Sequence, residues 1–134
     1  MPHLIIEYSA NLEDRTDLEG LVRVLRLAAL ETGLFPEGGI RVRAIRCDYF
    51  EVADGDPDNA FLHLSGRIGP GRSLTQRKRA AAHIFQALTG ALKDVYDASP
   101  LALSFELAEL DAHTRFNKNN LHDFVKTRLD AKRS

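Results

Sequence analysis

This chain has a single cysteine, no long apolar run and almost no net charge. The single cysteine, Cys47, cannot form an internal disulfide, which agrees with a reducing compartment. It lies in a strand pattern, which favours a small buried residue over a nucleophile. No apolar run is long enough to span a bilayer and no leader pattern is present, so we expect a cytoplasmic protein. The formal net charge of -1 argues against nucleic acid as the main partner.

Motifs for metals, nucleotides and hydrolytic catalysis are also missing. The five histidines show no spacing typical of metal ligands, and we expect His63 and His122 to be structural. The segment 69–73 lacks the Gly-Lys-Ser/Thr ending of a Walker loop. A Ser/His/Asp set is not identifiable. We therefore expect no cofactor, no bound metal, no nucleic-acid partner and no membrane association.

The composition that remains is that of a folded domain. The chain has 134 residues, of which 44% are hydrophobic and 28% are charged, so it can bury a core as a single domain over 1–134. Its pattern predicts strand, helix and strand twice in succession. The first repeat covers about 2–52 and the second about 58–111, and a short C-terminal helix covers about 120–130.

The first repeat begins with an apolar strand over 4–8. A capping-box pattern over 16–19 predicts the start of a helix with apolar residues at helical spacing, and Gly33 predicts its end. A second strand follows, in which apolar and polar residues alternate. The apolar parity changes at Ile45, which predicts a β-bulge near Ala44.

The second repeat begins with a strand over 61–68. A second capping box, over 73–76, predicts a long helix that ends before Ser99. Alternating apolar residues over 101–107 predict the fourth strand. Asn120 is the predicted cap of the C-terminal helix.

The two repeats match in register as well as in order. Arg15 and Thr16 precede the first helix as Arg72 and Ser73 precede the second, at the same separation of 57 positions. Two right-handed βαβ units in tandem predict an α+β fold with a four-stranded sheet and both helices on one face. The other face still carries apolar side chains and needs a cover, so we expect an oligomer.

The chain opens with Met1, Pro2 and His3, directly before the first strand. A proline after an initiator methionine is small enough that the methionine is normally removed, which would leave Pro2 with a free secondary amine. Desolvation and nearby cations would lower the pKa of that amine towards neutrality and make it a general base. Many chains begin Met-Pro without any chemical reason, so the dipeptide alone does not assign a function.

Two arginines could converge on that amine. Arg41 projects from the polar side of the second strand, beside the first, and Arg72 lies at the N-terminus of the second helix, where free N–H groups favour an anion. Two guanidinium groups around a neutral amine suit a small-molecule dicarboxylate and oppose protonation of the amine. Either arginine could instead be a surface residue, equivalent to Arg43 or to Arg15.

Six short motifs, in order along the chain, are more specific together than any one is alone. In their order and spacing they resemble the 5-carboxymethyl-2-hydroxymuconate isomerase family of the tautomerase superfamily, over nearly the whole chain to about Lys126. The motifs are Met1-Pro2-His3-Leu4-Ile5, Gly33-Leu34-Phe35-Pro36, Gly39-Ile40-Arg41, Gly69-Pro70-Gly71-Arg72-Ser73-Leu74, Ala102-Leu103-Ser104-Phe105-Glu106 and Asn119-Asn120.

The resemblance implies a tautomerase-like homotrimer of tandem βαβ units, with active sites near subunit boundaries. It implies an amino-terminal proline base at Pro2 and substrate-binding arginines at Arg41 and Arg72, without a cofactor. The implied reaction is a keto–enol or double-bond isomerisation in the catabolism of aromatic compounds, on the homoprotocatechuate and 4-hydroxyphenylacetate route.

Our hypothesis from the sequence is therefore an isomerase whose catalytic residues are Pro2, Arg41 and Arg72. Pro2 moves a proton along an unsaturated dicarboxylate, while the arginines bind its carboxylates and stabilise the dienolate charge. Two other classes stay open at this point. One is a hydratase, decarboxylase or dehalogenase of the same fold, and the other is a non-catalytic small-acid binding or signalling protein.

Overall fold

The four strands form one mixed sheet in the order β2-β1-β3-β4. The structure is a computed structural model that describes residues 1–133, and Ser134 lies outside the described residues. The elements, in chain order, are β1 (His3–Ser9), α1 (Leu18–Glu31), β2 (Arg41–Cys47), β3 (Ala60–Ile68), α2 (Leu74–Ala91), α3 (Lys93–Ala98), β4 (Leu101–Glu109) and α4 (Leu121–Arg133). No helix within residues 1–133 combines the length and the apolar composition that crossing a membrane requires.

Two βαβ units build this sheet. β1 and β2 are parallel, β3 and β4 are parallel, and the two units join through the antiparallel pair β1 and β3. Alternate side chains of the strands pack against α1 and α2 in one core, because the helices cover one face of the sheet. The predicted α+β class, with two tandem βαβ units and a short C-terminal helix, is confirmed. The largest buried side chains of this core include Leu4, Ile6, Leu25, Leu62, Leu64, Ile84 and Leu88.

The start of α1 differs from the sequence prediction. The side chain of Asp17, not that of Thr16, caps the helix by accepting a hydrogen bond from the Gly20 N–H at 3.1 Å. The predicted capping box over 16–19 is therefore wrong, because the adjacent aspartate takes the cap position and the helix begins one residue later. The end is as predicted, since Gly33 adopts a φ of 72° just beyond the helix.

The predicted capping box of α2 is confirmed. Ser73 and Gln76 exchange side-chain and backbone hydrogen bonds. The prediction of a single long helix is wrong in one respect, because non-helical backbone at Leu92 divides the helix into α2 and α3. The spacing of the apolar residues in this helix would place Leu74 on the inner face, but Leu74 is 56% exposed because it lies in the first turn, beyond the edge of the core.

The predicted bulge in β2 is also wrong. The pairing of β1 with β2 continues without interruption from His3 and Arg41 to Ser9 and Cys47. Ile45 therefore lies on the open face of the sheet, where it is half exposed. The change of apolar parity reflects a second apolar surface rather than an inserted residue.

The C-terminal helix α4 packs against a short 3-10 helix, Glu37–Gly39. Its first turn is capped differently from the prediction, because the Asn119 side chain, rather than that of Asn120, accepts the Leu121 N–H at 2.8 Å. Gly38 is buried beneath this turn, and a Cβ added there would lie 2.8 Å from the His122 Cα. Glycine is therefore the residue that allows α4 to approach so closely.

We expect Gly38→Ala to loosen α4. The added methyl group would meet backbone atoms, which cannot rotate away as a side chain does, so we expect a loss of about 1–3 kcal/mol in the free energy of unfolding. Gly90→Ala in α2 is the matched control, because nothing lies within 4 Å of its added Cβ. We expect that control to be neutral or stabilising by about 0.5–1 kcal/mol. Urea unfolding and hydrogen exchange of the α4 amides measure both effects, and unchanged α4 protection in Gly38→Ala would contradict the packing argument.

Candidate active site

Pro2 immediately precedes β1, one of the two central strands of the sheet. It is among the most buried residues, and its carbonyl accepts the Arg41 N–H at 3.0 Å. That bond continues the β1–β2 ladder by one step beyond His3. The backbone of Pro2 is therefore fixed by the sheet itself rather than by a loose terminal segment.

Met1 lies where three chain segments meet. Its sulfur accepts hydrogen bonds from Arg41 Nη1 at 3.6 Å and from Asn119 Nδ2 at 3.3 Å. Its amine lies 3.8 Å from the position that a Cβ on Gly69 would occupy. Met1 thus contacts the start of β2 and the segment before α4, and its amine lies near the loop after β3.

Arg41 is the first residue of β2 and is partly buried. Its Nη1 also donates to the Gly39 carbonyl at 3.2 Å, which directs the guanidinium group back towards the amino terminus. Gly39 is close to Met1 as well, since an added Cβ would lie 3.4 Å from the Met1 side chain. The strand and the tight turn before it therefore place Arg41 beside Met1 and Pro2.

Arg72 is held more firmly. Its Nη1 donates to the Gly69 carbonyl at 3.1 Å and its Nη2 to the Leu34 carbonyl at 2.9 Å. Its guanidinium carbon lies 4.9 Å from the centroid of the Phe35 ring, within the range of a cation–π contact. Because the fork uses two of its five N–H donors on these carbonyls, the remaining donors keep a fixed direction.

The amino terminus lies in a desolvated and cationic environment. Burial is the main cause that lowers the pKa of the Met1 amine below its ordinary value, and the charges of Arg72, Arg115 and Arg41 lower it further, in that order. The predicted residues Pro2, Arg41 and Arg72 all lie around this terminus. Such an arrangement favours a neutral amine and attracts an anion.

Two residues of this site were missed as site residues. Arg115 lies between β4 and α4, and its Nη1 lies 3.2 Å from the position of a Cβ on Gly69. Asn119 donates to the Gly38 carbonyl at 2.9 Å as well as to Met1. Arg115 carries no periodicity or motif that could have indicated it, whereas Asn119 belongs to one of the motifs that carried the family resemblance.

Two of the remaining candidate residues, Arg15 and His63, have structural partners. Arg15, the counterpart of Arg72 in the first repeat, pairs with Asp58 at 2.8 Å. His63 shares a hydrogen bond of 2.6 Å with Ser104 across β3 and β4. Cys47 is a free thiol, partly buried. The hydrogen bond of His63 agrees with the structural role expected of it.

A cleft of about 780 Å³ lies away from the amino terminus, between α2, α3 and the edge strand β4. Its charged lining residues, Lys93 and Asp97, form an ion pair with each other. Most of the remaining lining is apolar, with Phe85 and Leu103 among it. The convergent cations are at the amino terminus, so we place the candidate site there.

Comparison with known proteins shows the family of the chain. The family model described as 5-carboxymethyl-2-hydroxymuconate isomerase matches residues 2–125. The Escherichia coli protein named 5-carboxymethyl-2-hydroxymuconate Delta-isomerase is 38% identical over 126 residues, which are 94% of this chain and all of that protein.

Solved structures give the same result. A 5-carboxymethyl-2-hydroxymuconate isomerase from Deinococcus radiodurans R1 superposes with a TM-score of 0.86 at 35% identity, covering 92% of this chain and 93% of that one. A second structure, a 5-carboxymethyl-2-hydroxymuconate delta-isomerase, has a TM-score of 0.87 at 31% identity and covers 93% of both chains.

A more distant structure shares the fold alone. It is a fused 4-OT symmetric trimer, with a TM-score of 0.55 at 16% identity over 87% of this chain and 93% of that one. The match of family model, sequence and fold over nearly the full length leads to one assignment. The chain is an isomerase that belongs to the 5-carboxymethyl-2-hydroxymuconate isomerase family, within the tautomerase superfamily.

Proposed function

We propose that this enzyme is a 5-carboxymethyl-2-hydroxymuconate delta-isomerase that needs no cofactor and acts in aromatic catabolism, on the homoprotocatechuate and 4-hydroxyphenylacetate route. The observation that carries the proposal is the convergence of guanidinium groups on the amino terminus beside the buried Pro2. The names of the relatives supply the substrate.

The proposed mechanism begins with removal of Met1, which turns the Pro2 nitrogen from an amide into a secondary amine. The neutral amine accepts a proton from the substrate, and the electron pair spreads over a conjugated dienolate. The protonated amine then returns the proton to a more distant carbon, so that the double bonds shift and the enzyme is restored. Arg41 and Arg72 bind carboxylates and stabilise the dienolate charge as it forms.

A direct assay tests this proposal. Intact-mass spectrometry first establishes whether Met1 is absent, and ultraviolet spectroscopy then follows the conjugated absorbance of 5-carboxymethyl-2-hydroxymuconate. We expect the absorbance to change with no change in the mass of the small molecule. A product heavier by one water would indicate a hydratase instead, and an unchanged substrate with Met1-free protein would refute the proposal.

We also propose that the enzyme is a homotrimer whose subunits cover the open face of the sheet. Large apolar side chains are exposed in the single chain, with Tyr49 97% and Phe116 92% exposed in the segments that follow β2 and β4. Ile45 is half exposed on the face itself. The distant 4-OT structure is named a symmetric trimer, which supports the same assembly for this fold. Sedimentation equilibrium should give three chain masses, and a monomer would contradict the proposal.

The pH dependence of turnover should report the amine. Burial and the charges of Arg72, Arg115 and Arg41 lower the pKa of the terminal amine, and the same groups would surround Pro2 after Met1 is removed. Because the neutral form is the base, kcat/KM should be constant at high pH and fall about tenfold per unit below a midpoint lower than about 8, the ordinary α-amino value. A midpoint above that value would contradict the lowered pKa, and kcat/KM that rises on acidification would exclude the neutral amine as the base.

A further inference from the structure

Arg115 places a third guanidinium group at the amino terminus. A Cβ added to Gly69 would lie 3.2 Å from Arg115 Nη1 and 3.8 Å from the Met1 amine, so both groups border the same point of the loop after β3. The carbonyl of Gly69 also accepts a hydrogen bond from Arg72. Gly69 is therefore the place where the segment before α4 meets the catalytic terminus.

Arg115 differs from the other two arginines in its partners. Arg41 donates to one backbone carbonyl and Arg72 to two, whereas Arg115 has no hydrogen bond or ion pair with any group in residues 1–133. The nearest part of β4 offers it no free carboxylate, because Glu109 pairs with Arg77 at 3.5 Å. The side chain of Arg115 is exposed. All its donors are thus free for a ligand, and little desolvation cost opposes binding.

The chemistry of the proposed substrate calls for such a group. 5-Carboxymethyl-2-hydroxymuconate carries three carboxylates, two at the ends of the muconate chain and one on the carboxymethyl branch. The substrate therefore carries one carboxylate more than the two that Arg41 and Arg72 could bind. Proton transfer needs the conjugated chain held in a fixed plane, which suits the two arginines whose directions are set by backbone carbonyls. The branch can be bound by a more adaptable side chain.

We propose that Arg115 binds the carboxymethyl carboxylate of the substrate and makes this enzyme selective for a tricarboxylate. This inference rests on the proposed function. It assigns Arg115 a role in specificity, separate from the proton transfer at Pro2. The contact would be a charge-assisted hydrogen bond from a guanidinium fork to a carboxylate.

Arg115→Gln, compared on two substrates, tests the assignment. We expect KM for 5-carboxymethyl-2-hydroxymuconate to rise about 10- to 100-fold, the usual range for a lost hydrogen bond between charged groups. KM for 2-hydroxymuconate, which lacks the branch, should change by less than about threefold. Each variant is measured on the high-pH plateau of its own profile, because any effect of Arg115 on the amine is common to both substrates.

Lys118→Gln is the matched control, since it removes one positive charge from the same exposed segment. It should leave the ratio of the two KM values unchanged, and Arg115→Lys should restore part of the selectivity because it keeps the charge but not the fork. Equal losses on both substrates, or no loss, would overturn the role of Arg115. Circular dichroism confirms that the variants fold.

Failure of the proposed function can be told apart from failure of this inference. If the wild-type protein turns over neither compound, the proposed function is wrong. Calorimetric titration with a saturated tricarboxylate and a matched saturated dicarboxylate then still decides the role of Arg115. Selective weakening of tricarboxylate binding in Arg115→Gln supports the proposal, and an unchanged ratio of dissociation constants overturns it.

Discussion

Protein that retains a residue before Pro2 is expected to have no measurable isomerase turnover. An acylated proline nitrogen is an amide, whose lone pair is delocalised and cannot accept the substrate proton. In addition, Met1 contacts Arg41 and Asn119, so it occupies space that the substrate would need beside these side chains. Both effects are caused by the residue before Pro2, and its removal relieves both.

Pro2→Ala tests the proline ring itself, because both of these effects are absent from the variant. Methionine is also removed before alanine, so this variant offers a free primary amine and an open site, but it lacks the ring that fixes the nitrogen. We expect kcat to fall about 10²- to 10⁴-fold, the usual contribution of a positioned general base. The measurement is kcat on protein whose terminus has been verified by intact mass.

A short tag provides the control for this prediction. Fused before Met1, it should abolish turnover, and the same tag fused after Ser134 should leave kcat within about twofold. Thermal unfolding checks that Pro2→Ala, a change at a buried residue, has not simply destabilised the protein. Wild-type turnover in either the N-terminally tagged protein or Pro2→Ala would eliminate Pro2 as the base.

The sequence was sufficient to predict the fold because its signals are local and periodic. Strand alternation, the Ser73 capping box and Gly33 each act within a few residues and need no distant partner. Thr16 and Asp17 are the limiting case, since both residue types cap helices well and only the geometry of the preceding loop decides between them. The error there is one residue, and the helix itself is correct.

The error in β2 has a different origin. Alternation predicts one buried face, and a change of parity then indicates an inserted residue. Ile45 instead lies on the open face with Arg41, and the register has no insertion. The pattern of a single chain cannot distinguish a side chain that packs inside the fold from one that another subunit would cover.

Arg115 could not be found from the sequence for a third reason. It lies 113 positions after Pro2, in a segment without regular structure, and its position depends on how α4 docks on Gly38. That docking depends in turn on a contact between backbone atoms of two distant segments. The predicted residues Arg41 and Arg72 belong instead to the repeats. Arg41 begins the strand that pairs with β1, and Arg72 precedes α2, so the repeat pattern was enough to indicate both positions.

Arg72→Gln is expected to lower kcat/KM about 10²- to 10³-fold, as removal of a fixed donor at a developing negative charge usually does. The two backbone carbonyls and the Phe35 ring hold the wild-type guanidinium in one orientation before the substrate arrives. Little reorganisation is then needed when the dienolate forms. Arg72→Lys keeps the charge but lacks the planar fork that donates to both carbonyls, so we expect it to recover only part of the lost rate.

The repeat supplies the control for Arg72. Arg15 occupies the equivalent position before α1, but Asp58 binds its guanidinium group, and Arg15 is not among the charges that lower the pKa of the Met1 amine. Arg15→Gln removes the same charge from the same point of the repeated unit, and it breaks an ion pair with an exposed partner that contributes at most about 1 kcal/mol. We expect its kcat/KM to stay within about twofold of wild type. If the two substitutions reduce kcat/KM equally, the effect of Arg72 is one of net charge or stability, and the chemistry at Pro2 does not depend on a fixed guanidinium.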